Sequence, residues 1–385
     1  MIVTLVAICL HGFSTHAQET GDRSARARDL GVVVGVLPHG PLNAITAVAG
    51  VAGGHTTIIH GSDVRTGVTA VLPHLGNLFQ FQRKVIGAVH VGNAFGKPVG
   101  STQVQEPRLD RDAHPADLDA QRAPCRRRGH RLHAGAAGQR TGPVDQSGSG
   151  RDQRRVVERH PEPTNLERRC RRGDPLGARR SGRRGRGRRR HGHRAFGFKG
   201  GIGTASQRVP EASGGYTVGV LVQTNFGGVL TINGAPVGQE LGRYYLRDQI
   251  EPDAPARPGD NADGSVIIVV GTDAPVDTRN LERLAARAMF GLARTGAAGS
   301  NGSGDYVIAF STANAIDDGG PQTVTVLGND DMSPLFLGVI EATEEAIYNS
   351  LFRATDMTGH GRTVEALPIE QTLEIMRRYG AARVP

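Results

Sequence analysis

The stretch Asp263-Gly264-Ser265-Val266-Ile267-Ile268-Val269-Val270-Gly271-Thr272 decides how this chain is read. An unbroken Val/Ile run bounded by glycines marks a strong, strongly apolar strand. The residues before it, 251–264, are polar and rich in Pro and Asp, as in a loop. A Ser hydroxyl therefore stands where a loop enters this strand. Taken alone, Gly-Ser ahead of a strand is an ordinary turn.

Two other strand mouths carry matching chemistry. Asn225, in Gln223-Thr224-Asn225-Phe226-Gly227, closes a predicted strand over 215–228, and its amide could donate to an oxyanion. Ser303-Gly304-Asp305 opens a strand reaching Phe310, which sets a hydroxyl and a carboxylate at its start. Considered separately, a capping Asn and a solvated turn explain these residues equally well.

Further out, Leu281, Leu284, Ala285, Ala288 and Leu292 share one face of a predicted helix over 278–294. Ser333-Pro334 has the N-cap and N1 pattern of a helix running to about Ala354. A last helix covers about 368–379 and ends at Gly380. Upstream, LGVVVGVL (30–37), GVTAVLP (67–73) and KVIGAVHVGNAFG (84–96) read as buried strands. The Gly-rich GGIGTAS (200–206) reads as a turn, because a phosphate cradle would need a closing Lys and a following helix. The mixture is α+β.

Between Pro107 and Ala195 the chain changes character. This interval has no Ile, Phe, Tyr or Met, and it carries 25 Arg against 10 acidic residues. The whole chain has 385 residues and a formal charge of +9, so the remainder is mildly acidic. The interval shows no apolar period and too little apolar surface to offset ordering entropy, so disorder is expected.

The first residues contain a short apolar run, Ile2–Leu10, then Thr15-His16-Ala17. The form is that of a leader over 1–18, giving a periplasmic or secreted protein; no Lys or Arg precedes the run. A misassigned start, and a cytoplasmic protein, is the alternative. The run is too short to span a bilayer, and no membrane partner is expected. Cys9, Cys125 and Cys170 have no zinc or disulfide spacing, and the His residues lack ligand spacing, so neither metal nor cofactor is expected. Asp63 and Arg65 either line a site or form an internal ion pair.

The blocks RARDLGVVVGVLPHGPLNAIT, GSDVRTGVTAVLPH, AVHVGNAFGKPVGSTQVQE, FGFKGGIGTAS, VGVLVQTNFGG, DGSVIIVVGTDAP and GSGDYVIAFST, in this order, resemble the DmpA-type L-aminopeptidase/D-esterase family, also called β-peptidyl aminopeptidases. The resemblance implies an αββα sandwich of the N-terminal-nucleophile type and a precursor that cuts itself at Gly264–Ser265. The products would be an α-chain, 19–264, and a β-chain, 265–385, within one hydrolase domain. Ser265 would be the nucleophile, Asn225 the oxyanion donor, and Ser303 with Asp305 the catalytic support, although the family commonly carries Glu at the last position. Substrates would be small peptides, aminoacyl amides or esters, and the assembly an oligomer of cleaved heterodimers. Relatives that open amide oligomers are expected to use Thr as nucleophile, so Ser265 favours the aminopeptidase branch. The chemistry is coherent: an α-amine titrates near 7.7–8.0, so a freed Ser265 nitrogen can take the proton of its own hydroxyl.

The resemblance stops at Glu106 and restarts at Phe196. Over this length the family carries a Thr-Asn-Thr-Leu strand and an Asn-Asp-Gly-Tyr-Leu-Asn segment whose Tyr shapes the site, whereas no Tyr lies between Phe79 and Tyr216 here. Preserved length, abrupt edges and a swap to residues of GC-rich codons point to compensating reading-frame shifts. A chain lacking this part is expected to show weak or absent activity, even an inactive pseudoenzyme. The competing reading is nucleic-acid binding by the Arg/Gly runs. They lack aromatic residues for base stacking, so salt-sensitive adsorption and no specific nucleic-acid partner is the expectation.

Overall fold

Ser265–Thr272 is a strand with a neighbour on either side. The computed structural model describes residues 25–75, 84–96, 98, 100–105, 193–253, 255, 264–317 and 320–382. In chain order the strands and helices are β1 (Ala52–His60), β2 (Val64–Leu72), β3 (Lys84–Ala94), α1 (Ser101–Gln105), β4 (Arg194–Ala195), β5 (Phe198–Lys199), β6 (Ile202–Arg208), β7 (Thr217–Asn225), α2 (Val237–Glu240), α3 (Arg247–Ile250), β8 (Ser265–Thr272), α4 (Thr278–Arg294), β9 (Gly304–Ile316), α5 (Ser333–Phe352), β10 (Met357–Gly359), β11 (Arg362–Val364) and α6 (Ile369–Arg378).

Five strands make one mixed sheet in the order β3-β9-β8-β7-β6. Only the β8–β9 pair is parallel, and the connection that parallel pairing demands is α4. Side chains alternate across β8. Val266, Ile268 and Val270 enter one core with Val220 and Val222 of β7, Leu281 and Leu284 of α4, and Val339 and Ala346 of α5. Val269 points the other way, into a smaller cluster with Phe310, Val85, Ile45, Val48, Val51 and Val71. Burial on both faces is why β8 reads as a continuous apolar run.

The α4 stripe read from sequence is buried, and Asp277 caps the helix by accepting the Asn280 N–H at 2.8 Å. Helix α5 is buried nearly all round and still carries Glu341, Glu344 and Glu345. Glu345 is fully buried and accepts from Arg28 (2.8 and 2.9 Å), Asn43 (2.6 Å) and Gln207 (3.1 Å). A buried carboxylate with this many donors is satisfied, as its burial requires.

Several expectations need correction. Residues 30–37 are not a strand. A 3-10 turn over Arg28–Leu30 leads into a coil whose Gly31 and Gly35 take left-handed φ of 80° and 65°. Val32 and Val34 are buried there, but Val36 is 83 % exposed. The N–H groups of Val36 and Leu37 go to the Glu341 carboxylate at 3.0 and 3.1 Å rather than to a ladder. A Cβ on Gly35 would lie 1.9 Å from Glu341 Cδ, so both the φ and the close approach demand glycine. The α5 N-cap is Met332, not Ser333, because a 3-10 turn over Asp330–Met332 runs straight into the helix. Strand β9 continues past Phe310 to Ile316, since Ala315 and Ile316 pair with Val85 and Lys84. Most of GGIGTAS is strand β6.

Of the interval 107–195, only His193, Arg194 and Ala195 are described. The expected disorder does not reach them: Arg194 and Ala195 pair with Lys199 and Phe198, and Ala195 is fully buried. The rest of the interval and residues 1–18 lie outside the described residues. Among those described, no helix is long and apolar enough to cross a membrane.

Candidate active site

Strand register brings the candidate residues to one edge of the sheet. Asn225 is the last residue of β7 and pairs with Ser265, the first of β8, which pairs in turn with Gly304, the first of β9. Because β7 runs antiparallel and β9 parallel to β8, one end and two beginnings meet. Ser303 immediately precedes β9, and Asp305 lies opposite Val266.

Ser265 Oγ donates to the Gly264 carbonyl oxygen at 2.5 Å and accepts the Gly304 N–H at 3.2 Å. The hydroxyl thus lies against the carbonyl of the peptide it would attack. A Cβ on Gly264 would sit 1.7 Å from the Asn225 carbonyl oxygen. Close approach therefore demands glycine here. Gly304 is confined in the same way, its missing Cβ falling 2.6 Å from the Gly96 nitrogen. The Gly96 carbonyl accepts the Tyr306 hydroxyl at 2.8 Å, which holds the segment after β3 beside this edge.

Asn225 Oδ1 accepts the Arg194 N–H at 3.4 Å, which leaves the NH2 as the donor end of the amide. Asp305 is only 2 % exposed. Its Oδ1 accepts the Ser303 hydroxyl at 2.5 Å and the Val266 N–H at 3.2 Å. Burial pushes the Asp305 carboxyl above the usual carboxylate range, and the bonds from Ser303 and Val266 oppose that shift. Ser303 and Asp305 are therefore paired with each other, and Asp305 reaches the neighbourhood of Ser265 through the Val266 N–H, while the backbone N–H of Gly304 between them bonds Ser265 Oγ.

All five residues read from sequence, Asn225, Gly264, Ser265, Ser303 and Asp305, meet at this edge. Sequence reasoning missed two backbone donors, the N–H groups of Gly304 and Arg194. A backbone N–H leaves no residue-type signal, and Arg194 sits in the interval that reads as foreign. Asp63 and Arg65 stand apart from the group. Arg65 spends its guanidinium on the carbonyls of Gly61, Val64 and Thr358, at the β1–β2 turn. Among the described residues, no three His, Cys, Asp or Glu side chains gather to hold a metal ion.

The profile of peptidase family S58 matches residues 43–113 and 162–364. Its gap falls inside the Arg-rich interval. A β-peptidyl aminopeptidase, BapA, of Sphingosinicella microcystinivorans is 37 % identical over 377 residues, covering 92 % of each chain. The crystal structure of the PH0078 protein from Pyrococcus horikoshii OT3 is similar with a TM-score of 0.65 at 34 % identity, covering 92 % of this chain and 99 % of that one. The L-aminopeptidase D-Ala-esterase/amidase of Ochrobactrum anthropi, described as a prototype of the serine aminopeptidases and a variant of the Ntn-hydrolase fold, matches with a TM-score of 0.60 at 26 % identity, over 93 % and 99 % of the two chains. The fold expected from sequence, α+β of the N-terminal-nucleophile type, is the fold of these neighbours.

Proposed function

The chain belongs to peptidase family S58, and from that premise we propose that it is a self-processing serine aminopeptidase that releases N-terminal residues from small peptides, aminoacyl amides or esters. The observation that carries this reading is the register Asn225–Ser265–Gly304, in which the Ser265 hydroxyl bonds the Gly264 carbonyl, accepts the Gly304 N–H and lies opposite Asn225.

In the first stage Ser265 Oγ attacks the Gly264 carbonyl carbon. The C–O bond forms, the C–N bond breaks, and the Ser265 nitrogen leaves as an amine carrying the hydroxyl proton. Water then hydrolyses the ester, freeing the Gly264 carboxylate and the Ser265 hydroxyl. No free α-amine exists before the cut, so proton movement falls to the Ser303–Asp305 pair. In the second stage the Ser265 amine takes the proton of its own Oγ as the hydroxyl attacks a substrate carbonyl, and Asn225 donates to the developing oxyanion. The substrate C–N or ester C–O bond breaks, and the amine or alcohol leaves with that proton. Water then hydrolyses the acyl-Ser265 ester to release the N-terminal residue as its acid and restore the hydroxyl. An oxyanion donor of this kind contributes about 10²–10³ in kcat.

The two products stay together. The sheet interleaves them, with β3, β6 and β7 from the α-chain and β8 and β9 from the β-chain, so separation would break the β3–β9 and β7–β8 ladders. Assembly of these heterodimers into a homo-oligomer is part of this proposal and is read by light scattering. A leader over 1–18 and a mature enzyme outside the cytoplasm are likewise part of this proposal, read by cell fractionation against the cytoplasmic alternative.

Mass spectrometry of purified protein tests the central step. A fragment beginning at Ser265 is expected wherever the chain turns over aminoacyl amides, and Ser265→Ala is expected to remove both fragment and turnover. A Ser265→Ala chain as active as an active parent would refute the reading. Because the family profile breaks over 114–161, the translated chain is proposed to be impaired; normal turnover by it would refute that part alone.

A further inference from the structure

We infer that residues 107–193 are translated one base out of register, and that the register displaced by one base encodes the segment this chain lacks. The inference rests on membership in the family, not on the roles given to Ser265 and its neighbours.

The genetic code makes this checkable from the protein sequence. Suppose one extra base lies between the codons of Glu106 and Pro107, and one base is missing near the codons of His193 and Arg194. Each original codon then consists of the last two bases of one translated codon and the first base of the next. Every Arg codon ends in G and a further base, or in GA or GG, so each Arg becomes Val, Ala, Asp, Glu or Gly. Asp and His codons become Ile, Thr or Met wherever a suitable base follows. The rule removes every arginine translated within 107–193 and supplies Ile, Thr or Met in place of each Asp and His.

It also restores order in sequence. Asp112-Ala113-His114-Pro115-Ala116-Asp117-Leu118-Asp119-Ala120-Gln121 admits Thr-Pro-Ile-Leu-Leu-Thr-Ser-Thr-Leu-Asn. That is an apolar, β-branched run of strand character, with Thr-x-Thr-Leu where the resemblance places such a strand. Arg151-Asp152-Gln153-Arg154-Arg155-Val156-Val157-Glu158-Arg159-His160 admits Glu-Thr-Asn-Asp-Gly-x-Leu-Asn-Asp-Ile. Arg188-Arg189-Arg190-His191-Gly192 admits Gly-Gly-Gly-Thr-Gly, a turn-forming run that leads directly into β4. One displacement, held from end to end, admits all three.

The same rule fixes a departure from the family. The residue at x after Asn-Asp-Gly is encoded by the last two bases of the Val156 codon followed by the G that begins Val157. That codon is TNG, so the residue is Trp, Leu or Ser and never Tyr. The phenol hydroxyl that the resemblance implies at this point is therefore not encoded, and oxyanion donation rests on Asn225 and backbone N–H groups.

The test is nucleotide sequence and peptide mapping of the interval from source material. The displaced frame is expected to be open from Glu106 to Arg194, to spell the runs above and to show TTG, TCG or TGG at x. A stop codon within it, a Tyr codon at x, or a displaced translation without the Asn-Asp-Gly run overturns the inference. A second arm expresses the gene with the extra base removed and the missing base restored, beside the translated form. Cleavage before Ser265 is expected in the repaired chain and lost in the other. If the displaced frame reads as stated and neither chain is cut, the frame inference stands and the role of Ser265 falls.

Discussion

Next to Ser265 the fold leaves no room for a side chain. The Gly264 side chain is missing because the Asn225 carbonyl occupies its place, and that contact lets β7 and the mouth of β8 close on the hydroxyl. Gly264→Ala would drive a Cβ to within 1.7 Å of a backbone oxygen that cannot swing away. In a parent that cuts itself, the variant is expected to remain a full-length chain by mass spectrometry. Gly54→Ala, where nothing lies within 4 Å of the added atom, should cut as the parent does. Equal cutting by both variants would show that the close approach is immaterial.

Asp305 makes a prediction with a definite sign. Burial raises its folded-state pKa, so the buried protonated form is favoured and ionisation costs folding free energy. Its contribution to stability is complete below the unfolded value, near 3.9, and is lost as pH rises through the raised folded value. Asp305→Asn does not ionise. The difference in denaturation midpoint between variant and parent should therefore move in favour of Asn as pH rises through that window, then level off. A difference that is flat with pH, or that moves towards Asp, contradicts the assignment.

At the scale of elements, what was legible follows from where each strand sits. Strand β8 announces itself because the core covers both its faces, and α4 because its apolar stripe faces a single core. Residues 30–37 misled for the opposite reason. Their valines are as apolar as a strand's, yet left-handed glycines coil the chain and a carboxylate on α5 takes the N–H groups. No local pattern reveals a partner some three hundred residues away. The candidate site was readable in its side chains and not in its backbone donors, because Gly304 and Arg194 act through groups common to every residue.

Helix α5 anchors the N-terminal segment through Glu345, whose carboxylate gathers Arg28, Asn43 and Gln207. Glu345→Ala would strand the Arg28 guanidinium, 16 % exposed, without its counter-charge. Breaking a buried pair in this way costs about 3–5 kcal/mol. Chemical denaturation should show a loss of that order, and a loss below about 1 kcal/mol would place this cluster among ordinary surface pairs.

At the scale of the whole molecule, charge and chemistry are separable. The interval 107–195, with 25 Arg against 10 acidic residues, more than accounts for the formal charge of +9, while the candidate residues Asn225, Ser265, Ser303 and Asp305 lie in flanks that are acidic overall. A polyanion should therefore bind the translated chain through its arginines alone. Such binding weakens steeply with salt, since each phosphate or sulfate contact releases a counterion. On a heparin column the translated chain is expected to be retained at low salt and to elute as salt rises. The chain repaired to the displaced frame, in which each arginine of 107–193 becomes Val, Ala, Asp, Glu or Gly, should pass through unretained. If the repaired chain were retained equally, the basic surface would have to belong to the hydrolase domain itself, and the separation of charge from chemistry would fail.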